Sequence, residues 1–186
     1  MGPFGDSSMY YSGNECYRHI EGLVSKGKDI LIISPYIDEY YARFLLGKAG
    51  SRNIRILSSS MNGNAKKILT RNSNKGTIMA VIVVLAGTGY LAYGTRLFGA
   101  VVLISAVAVA ILLLSLANRG KGIVIRRPQG FVHAKLYISE SKAIHGSANL
   151  TYNGTHSNIE HIEIIRDMEK IAKLRKEFER MWRNSA

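Results

Sequence analysis

Leu97 to Ala117 is an unbroken run of 21 residues with no charged side chain, in a chain of 186. A bilayer core needs about 20 apolar residues in a helix, with a lower limit near 17. The preceding stretch, Ile78 to Tyr93, is apolar apart from Thr88 and its glycines and meets that limit barely. Only Gly94, Thr95 and Arg96 separate the two. The pattern predicts a tight antiparallel hairpin inserted over 76–118, with helices at about 77–93 and 97–117. A soluble helical pair is the alternative, but a domain this small has too little core to cover two helices that are apolar all round.

Basic residues near the ends set the orientation of such a hairpin. Lys66, Lys67, Arg71 and Lys75 precede it, Arg119, Lys121, Arg126 and Arg127 follow it, and the connecting loop holds Arg96 alone. The expectation is a multi-pass cell-membrane protein with both termini and the soluble part in the cytoplasm.

Outside the hairpin the chain reads as one α/β domain built from 1–75 and 119–186, since neither flank has enough core alone. Tyr17, Ile20, Leu23 and Val24 recur at helical spacing within Glu15 to Lys26. Ile30 to Ile33 is a continuous apolar run, the pattern of a strand covered on both faces. Asp38 to Lys48 looks helical, Ile54 to Leu57 extended, and Asn62 to Arg71 helical. After the hairpin, Gly122 to Arg126, Phe131 to Ile138, Ala143 to His145 and Ile159 to Ile165 read as strands. Met168 to Trp182 closes as an amphipathic helix with Ile171, Leu174 and Phe178 on one face. The sum is a mixed sheet flanked by helices.

The formal net charge of +12 favours polyanionic partners, either nucleic acid or anionic lipid headgroups. The single cysteine, Cys16, excludes an intrachain disulfide and a cysteine zinc site, and its helical neighbours mark it as a core thiol. Met1 to Gly13 is polar and glycine-rich, without the basic start and apolar run of a secretory signal.

The residue types that carry chemistry lie downstream. Alternation along Phe131 to Ile138 puts His133, Lys135 and Tyr137 on one face and Val132, Ala134, Leu136 and Ile138 on the other. A lysine two residues from a histidine disfavours the protonated imidazole and offers a point charge to a phosphate oxygen. Gly146-Ser147-Ala148-Asn149 follows the next strand, where glycine allows close backbone approach and Ser147 and Asn149 present a hydroxyl and an amide. Glu160 shares strand parity with Ile162 and Ile164, so it points inward and needs a partner, for which an imidazole N–H is suitable. His19, His145, His156 and His161 lack such context and read as surface or packing residues, as do Tyr10, Tyr11, Tyr40 and Tyr41.

These motifs resemble the phospholipase D superfamily, whose signature runs His-x-Lys, four residues, Asp, then Gly-Ser-x-Asn. Here it reads His133-Ala-Lys135-Leu-Tyr-Ile-Ser-Glu140 and then Gly146-Ser147-Ala148-Asn149, with Asn158-Ile-Glu160 as the continuation and Ser34-Pro35-Tyr36 similar to the family's first strand. Glu140 departs from the family's aspartate at a position thought to be structural. The resemblance implies that His133 attacks phosphorus and forms a phosphohistidine. It implies that Lys135 and Asn149, helped by Ser147, hold the nonbridging oxygens, and that Glu160 orients His133. One copy of the signature implies a homodimer sharing one active site, with no cofactor and no metal. Nucleic acid is the first substrate expectation, because small single-copy members include nonspecific endonucleases and a membrane-tethered RNA-processing branch. Anionic phospholipid, hydrolysed or exchanged at its headgroup, is the second. A catalytically weak phosphate-binding or scaffold protein is the third.

Overall fold

The apolar run Asp29–Ile33 forms the central strand of the computed structural model, which describes residues 8–70, 104–105, 107–111 and 122–186. Ile30 to Ile33 are buried on both faces, as their continuous hydrophobicity requires. In chain order the elements are β1 (Ser8–Gly13), α1 (Cys16–Lys26), β2 (Asp29–Ile33), β3 (Tyr36–Ile37), α2 (Glu39–Lys48), β4 (Asn53–Leu57), β5 (Ser60–Met61) and α3 (Gly63–Thr70). Then come β6 (Gly122–Arg126), β7 (Leu136–Ile138), β8 (Ala143–Gly146), β9 (Glu160–Ile165) and α4 (Met168–Arg183).

Seven strands form one sheet in the order β1-β9-β8-β7-β2-β4-β6. β2 pairs in parallel with β4, and β4 with β6, while β7, β8, β9 and β1 continue antiparallel from the other side of β2. The mixed sheet thus changes character at β2. One face is covered by α1, α2 and α3, where Ile20, Leu23, Tyr41, Leu45 and Leu69 pack on Ile30, Ile32, Ile54, Ile56 and Tyr137. The other face packs Leu31, Ile33, Leu57 and Ile138 against Ile171, Phe178 and Trp182 of α4. Side chains of Asp38 and Asp167 cap α2 and α4, accepting the amide N–H of Tyr41 and Lys170.

Cys16 is fully buried, and burial with the nearby Glu160 charge pushes its thiol up to about 11, so it stays protonated in the core. The strand at Ser8–Gly13 was not foreseen in a segment read as polar and glycine-rich. It is the last strand of the sheet on its side, held by backbone pairing to β9, with Tyr10 74% exposed rather than packed. An edge strand that buries little leaves little pattern.

The chain divides into two compact units, 1–70 with 121–186 and 71–120. The hairpin expected over 76–118 falls almost wholly outside the described residues, of which 104–105 and 107–111 are helical. Among the described residues no helix is long and apolar enough to cross a membrane.

Candidate active site

The strand expected over Phe131 to Ile138 is shorter than its alternation suggests: only Leu136–Ile138 pair with β2, and Leu136 is the last residue in register, opposite Ile33. β2 stops there because Ser34-Pro35 follows, and proline has no N–H to extend a ladder. Phe131 to Ala134 therefore run beyond the sheet, at the carboxyl ends of the parallel strands, while the Lys135 carbonyl still accepts the Gly146 N–H at 3.3 Å. Val132 keeps the expected side, packed against the α4 face, whereas Ala134 is exposed.

This release from pairing lets His133 and Lys135 approach each other. The spacing of a paired strand would hold them about 7 Å apart. Instead the Lys135 ammonium lies 3.1 Å from each ring nitrogen of His133 and donates to the His133 carbonyl at 2.8 Å. His133 is exposed, while Lys135 is only 6% exposed. Burial lowers the pKa of Lys135, and the Glu160 charge opposes that shift. The exposed Phe131 stands 6.3 Å from the His133 ring, with the exposed Tyr36 at 6.1 Å on the Phe131 ring.

Gly146 ends β8 in a conformation with φ of 157°, and a β-carbon there would collide with the carbonyl oxygen of His161 on β9. The close approach lets the Ser147 N–H donate to that carbonyl at 2.9 Å, while the Ser147 hydroxyl accepts the His161 N–H at 3.0 Å and donates to the Glu160 carboxylate. Asn158 donates its amide to the other Glu160 oxygen at 3.2 Å. Glu160 faces inward as its parity predicts, 9% exposed. Its partners differ from the expected one: among the described residues it makes no hydrogen bond to His133. Within this chain Glu160 holds Ser147, and the polar neighbour of the imidazole is Lys135.

Asn149 is half-buried, and its Oδ1 is buried with no hydrogen-bond partner among the described residues. Its neighbours are fixed from both sides. The Ala148 carbonyl accepts the buried Tyr137 hydroxyl at 2.8 Å, and the Leu150 N–H donates to Ser34 Oγ at 2.9 Å. The spacing of Ser34-Pro35-Tyr36 does not reveal the task of Ser34, which is 1% exposed and whose hydroxyl also donates to the Tyr36 carbonyl. Asp38 adds a second tie, its free Oδ2 accepting the Tyr152 N–H at 2.6 Å. A buried serine beside a proline was the available signal.

Glu140 stands at the opposite end of β7 from Lys135. Its Oε1 accepts the backbone N–H groups of Lys28 and Asp29 at 2.8 and 2.6 Å. Partial desolvation raises its pKa, but hydrogen bonds from its own backbone N–H and those of Asp29 and Lys28, with nearby Arg175, hold it below the ordinary carboxylate value. Glu140 therefore joins a turn to the start of β2 and does not reach the imidazole.

The rings of the other histidines bond elsewhere, although the His161 backbone holds Ser147. His145 pairs with Glu163 at 2.8 Å, His161 Nδ1 is 2.6 Å from the Ser12 hydroxyl, and His156 is stacked between Tyr17 and Tyr152. Tyr11 packs at 5.0 Å on His19, and Tyr41 is fully buried in the core, but Tyr40 is 41% exposed. Among the described residues no group of three or more His, Cys, Asp or Glu is placed to hold a metal ion.

A family profile described as "Cardiolipin synthase, PLD-like domain" matches residues 7–182. Curated protein sequences yield no match. Among solved structures the chain is similar to NucT from Helicobacter pylori, at 13% identity and TM-score 0.57, covering 96% of this chain and 97% of that one. It is also similar to the phospholipase D family member Nuc from Salmonella typhimurium, at 12% identity and TM-score 0.55 with the same coverage. Phosphatidylserine synthase from Haemophilus influenzae Rd KW20 matches at 13% identity and TM-score 0.53, covering 96% of this chain and 38% of that one.

Proposed function

The chain belongs to the cardiolipin synthase, PLD-like domain family, and from that premise we propose that it is a membrane-anchored phosphodiesterase acting on nucleic acid. The observation that carries the reading is the Lys135 ammonium, buried and within 3.1 Å of both ring nitrogens of His133. A cation so placed stands where a phosphate oxygen would come to rest beside the imidazole.

In this reading a His133 nitrogen attacks phosphorus, a nitrogen–phosphorus bond forms, and the bond to the leaving oxygen breaks. Lys135 and the Asn149 amide hold nonbridging oxygens, with Ser147 set beside them by Glu160. The leaving oxygen needs a proton, and water must then be activated to release the phosphohistidine. A single signature provides one imidazole, so His133 of the partner subunit supplies that proton across a two-fold axis.

The net charge of +12 and the exposed Phe131 beside the imidazole, with exposed Tyr36 against it, favour a nucleic-acid strand over a lipid. The second reading is a phospholipid hydrolase or headgroup transferase, supported by the uncharged run 97–117. That run, taken as a cytoplasm-facing hairpin anchor over 76–118, serves either substrate.

The test is a pair of assays in chelator, on single-stranded nucleic acid and on anionic phospholipid vesicles. The expected result is cleavage of nucleic acid that His133→Ala abolishes, with a phosphohistidine trapped on acid-free quenching. Turnover of lipid alone would establish the second reading. Phosphate binding without turnover of either substrate would leave a scaffold.

A further inference from the structure

We propose that a second anion subsite lies beside the catalytic segment and takes the neighbouring phosphate of a polynucleotide backbone. The inference rests on the nucleic-acid reading above. A cavity of about 390 Å³ opens at the carboxyl ends of β4 and β6, lined by Ser59, Ser60, Lys66, Thr70, Arg126 and Arg127 among others. In open sheets with parallel strands, ligands favour the crevice at that end.

Its wall has the chemistry of a phosphate site. It carries three cationic side chains and four hydroxyls, and no Asp or Glu is among its described lining residues. Arg126 is held in place, stacked 4.7 Å over the Trp182 ring and donating to the Trp182 carbonyl at 3.0 Å. Arg127 has its backbone fixed by paired hydrogen bonds with Ala186, at 2.8 and 3.1 Å. Lys66 and Arg127 are exposed and, among the described residues, neither has an acidic partner. Cations gathered on one wall with no Asp or Glu among its described lining are an electrostatic footprint for phosphate.

The cavity adjoins the reaction centre. Ser59 on its wall accepts the Val132 N–H at 2.9 Å, and Val132 precedes His133. Through Ser59 and Val132 the cavity neighbours the segment that carries His133. A lipid with a single phosphodiester leaves the cavity empty, whereas a polynucleotide fills it.

The experiment uses the full chain and a Lys66→Ala/Arg127→Ala double variant, two exposed positions outside the catalytic set. Three probes are compared: a short single-stranded oligonucleotide, the same strand with methylphosphonates flanking the cleaved linkage, and bis(p-nitrophenyl) phosphate. The expected result is a KM for the native strand raised about tenfold at unchanged kcat, with bis(p-nitrophenyl) phosphate unaffected. The methylphosphonate strand should impose the same penalty on the wild type and none on the double variant. An unchanged KM for the native strand, or an equal loss on all three probes, overturns the subsite while the nuclease reading stands. Wild-type cleavage of bis(p-nitrophenyl) phosphate and phospholipid vesicles, but of no oligonucleotide, overturns the reading and the subsite together.

Discussion

The Glu140 carboxylate accepts the Asp29 N–H at 2.6 Å, tying the β7–β8 turn to the first residue of the central strand. The same Asp29 receives the Arg175 guanidinium at 2.8 Å and the Asn53 amide at 2.9 Å. Glu140 thus clamps the turn to the start of β2, and Asp29 ties that same point to β4 and α4.

Glu140→Ala should therefore cost stability and not chemistry. The side chain is exposed, so solvent screens the bonds and the loss should be about 1 kcal/mol, a few degrees in Tm. Because folding lowers the Glu140 pKa, its contribution is present above the unfolded carboxylate value and fades as pH falls through the lower folded value. The Tm gap between wild type and Glu140→Gln, followed from neutral pH downward, should close in acid. A gap that widens in acid would contradict the clamp.

Gly146→Ala should damage fold and activity together. Its β-carbon meets the His161 carbonyl, and that contact also fixes Ser147. Forcing the strands apart should cost about 1–3 kcal/mol by overpacking. Denaturant unfolding and a turnover assay on one preparation check this, and an unaltered midpoint would refute it.

Glu160→Gln should move a pH profile. The Glu160 charge supports protonation of Lys135, which burial opposes. Removing the charge should lower the Lys135 pKa further, and activity that needs the ammonium is lost as pH rises through that value. The basic limb of kcat/KM should shift to lower pH in the variant. A basic limb that stays in place would separate Glu160 from Lys135.

Mixed dimers test the shared site. When wild-type and His133→Ala chains are co-assembled at varying ratios, activity should follow the square of the wild-type fraction. A linear dependence would mean that each subunit works alone.

Much of this was legible because strong hydrophobic patterns survive folding. The continuous run Ile30–Ile33 became the central strand, and the parity of Glu160 with Ile162 and Ile164 turned its carboxylate inward. What escaped depended on chain termination and on pairing across distance. The strand around His133 was overread because alternation does not reveal that its partner β2 stops at Pro35. Ser8–Gly13 was missed because backbone pairing with β9 leaves no side-chain period when little is buried. The partner of Glu160 is set by the Gly146 crossing over β9, a three-dimensional contact that no spacing in the sequence encodes.

The parallel pairing of β4 with β6 carries one more implication. Parallel neighbours cannot be joined by a tight turn, so the chain must leave the sheet after α3 and come back at Gly122. A detour was already obligatory there, and lengthening one is cheap, about 0.6 kcal/mol for each doubling of a flexible loop. The unit 71–120 occupies that detour, so it can be exchanged, enlarged or lost in descent without shifting a strand register. His133, Lys135 and the Gly146–Asn149 segment lie wholly downstream of it, so a change in its length leaves the spacing of the reacting residues untouched.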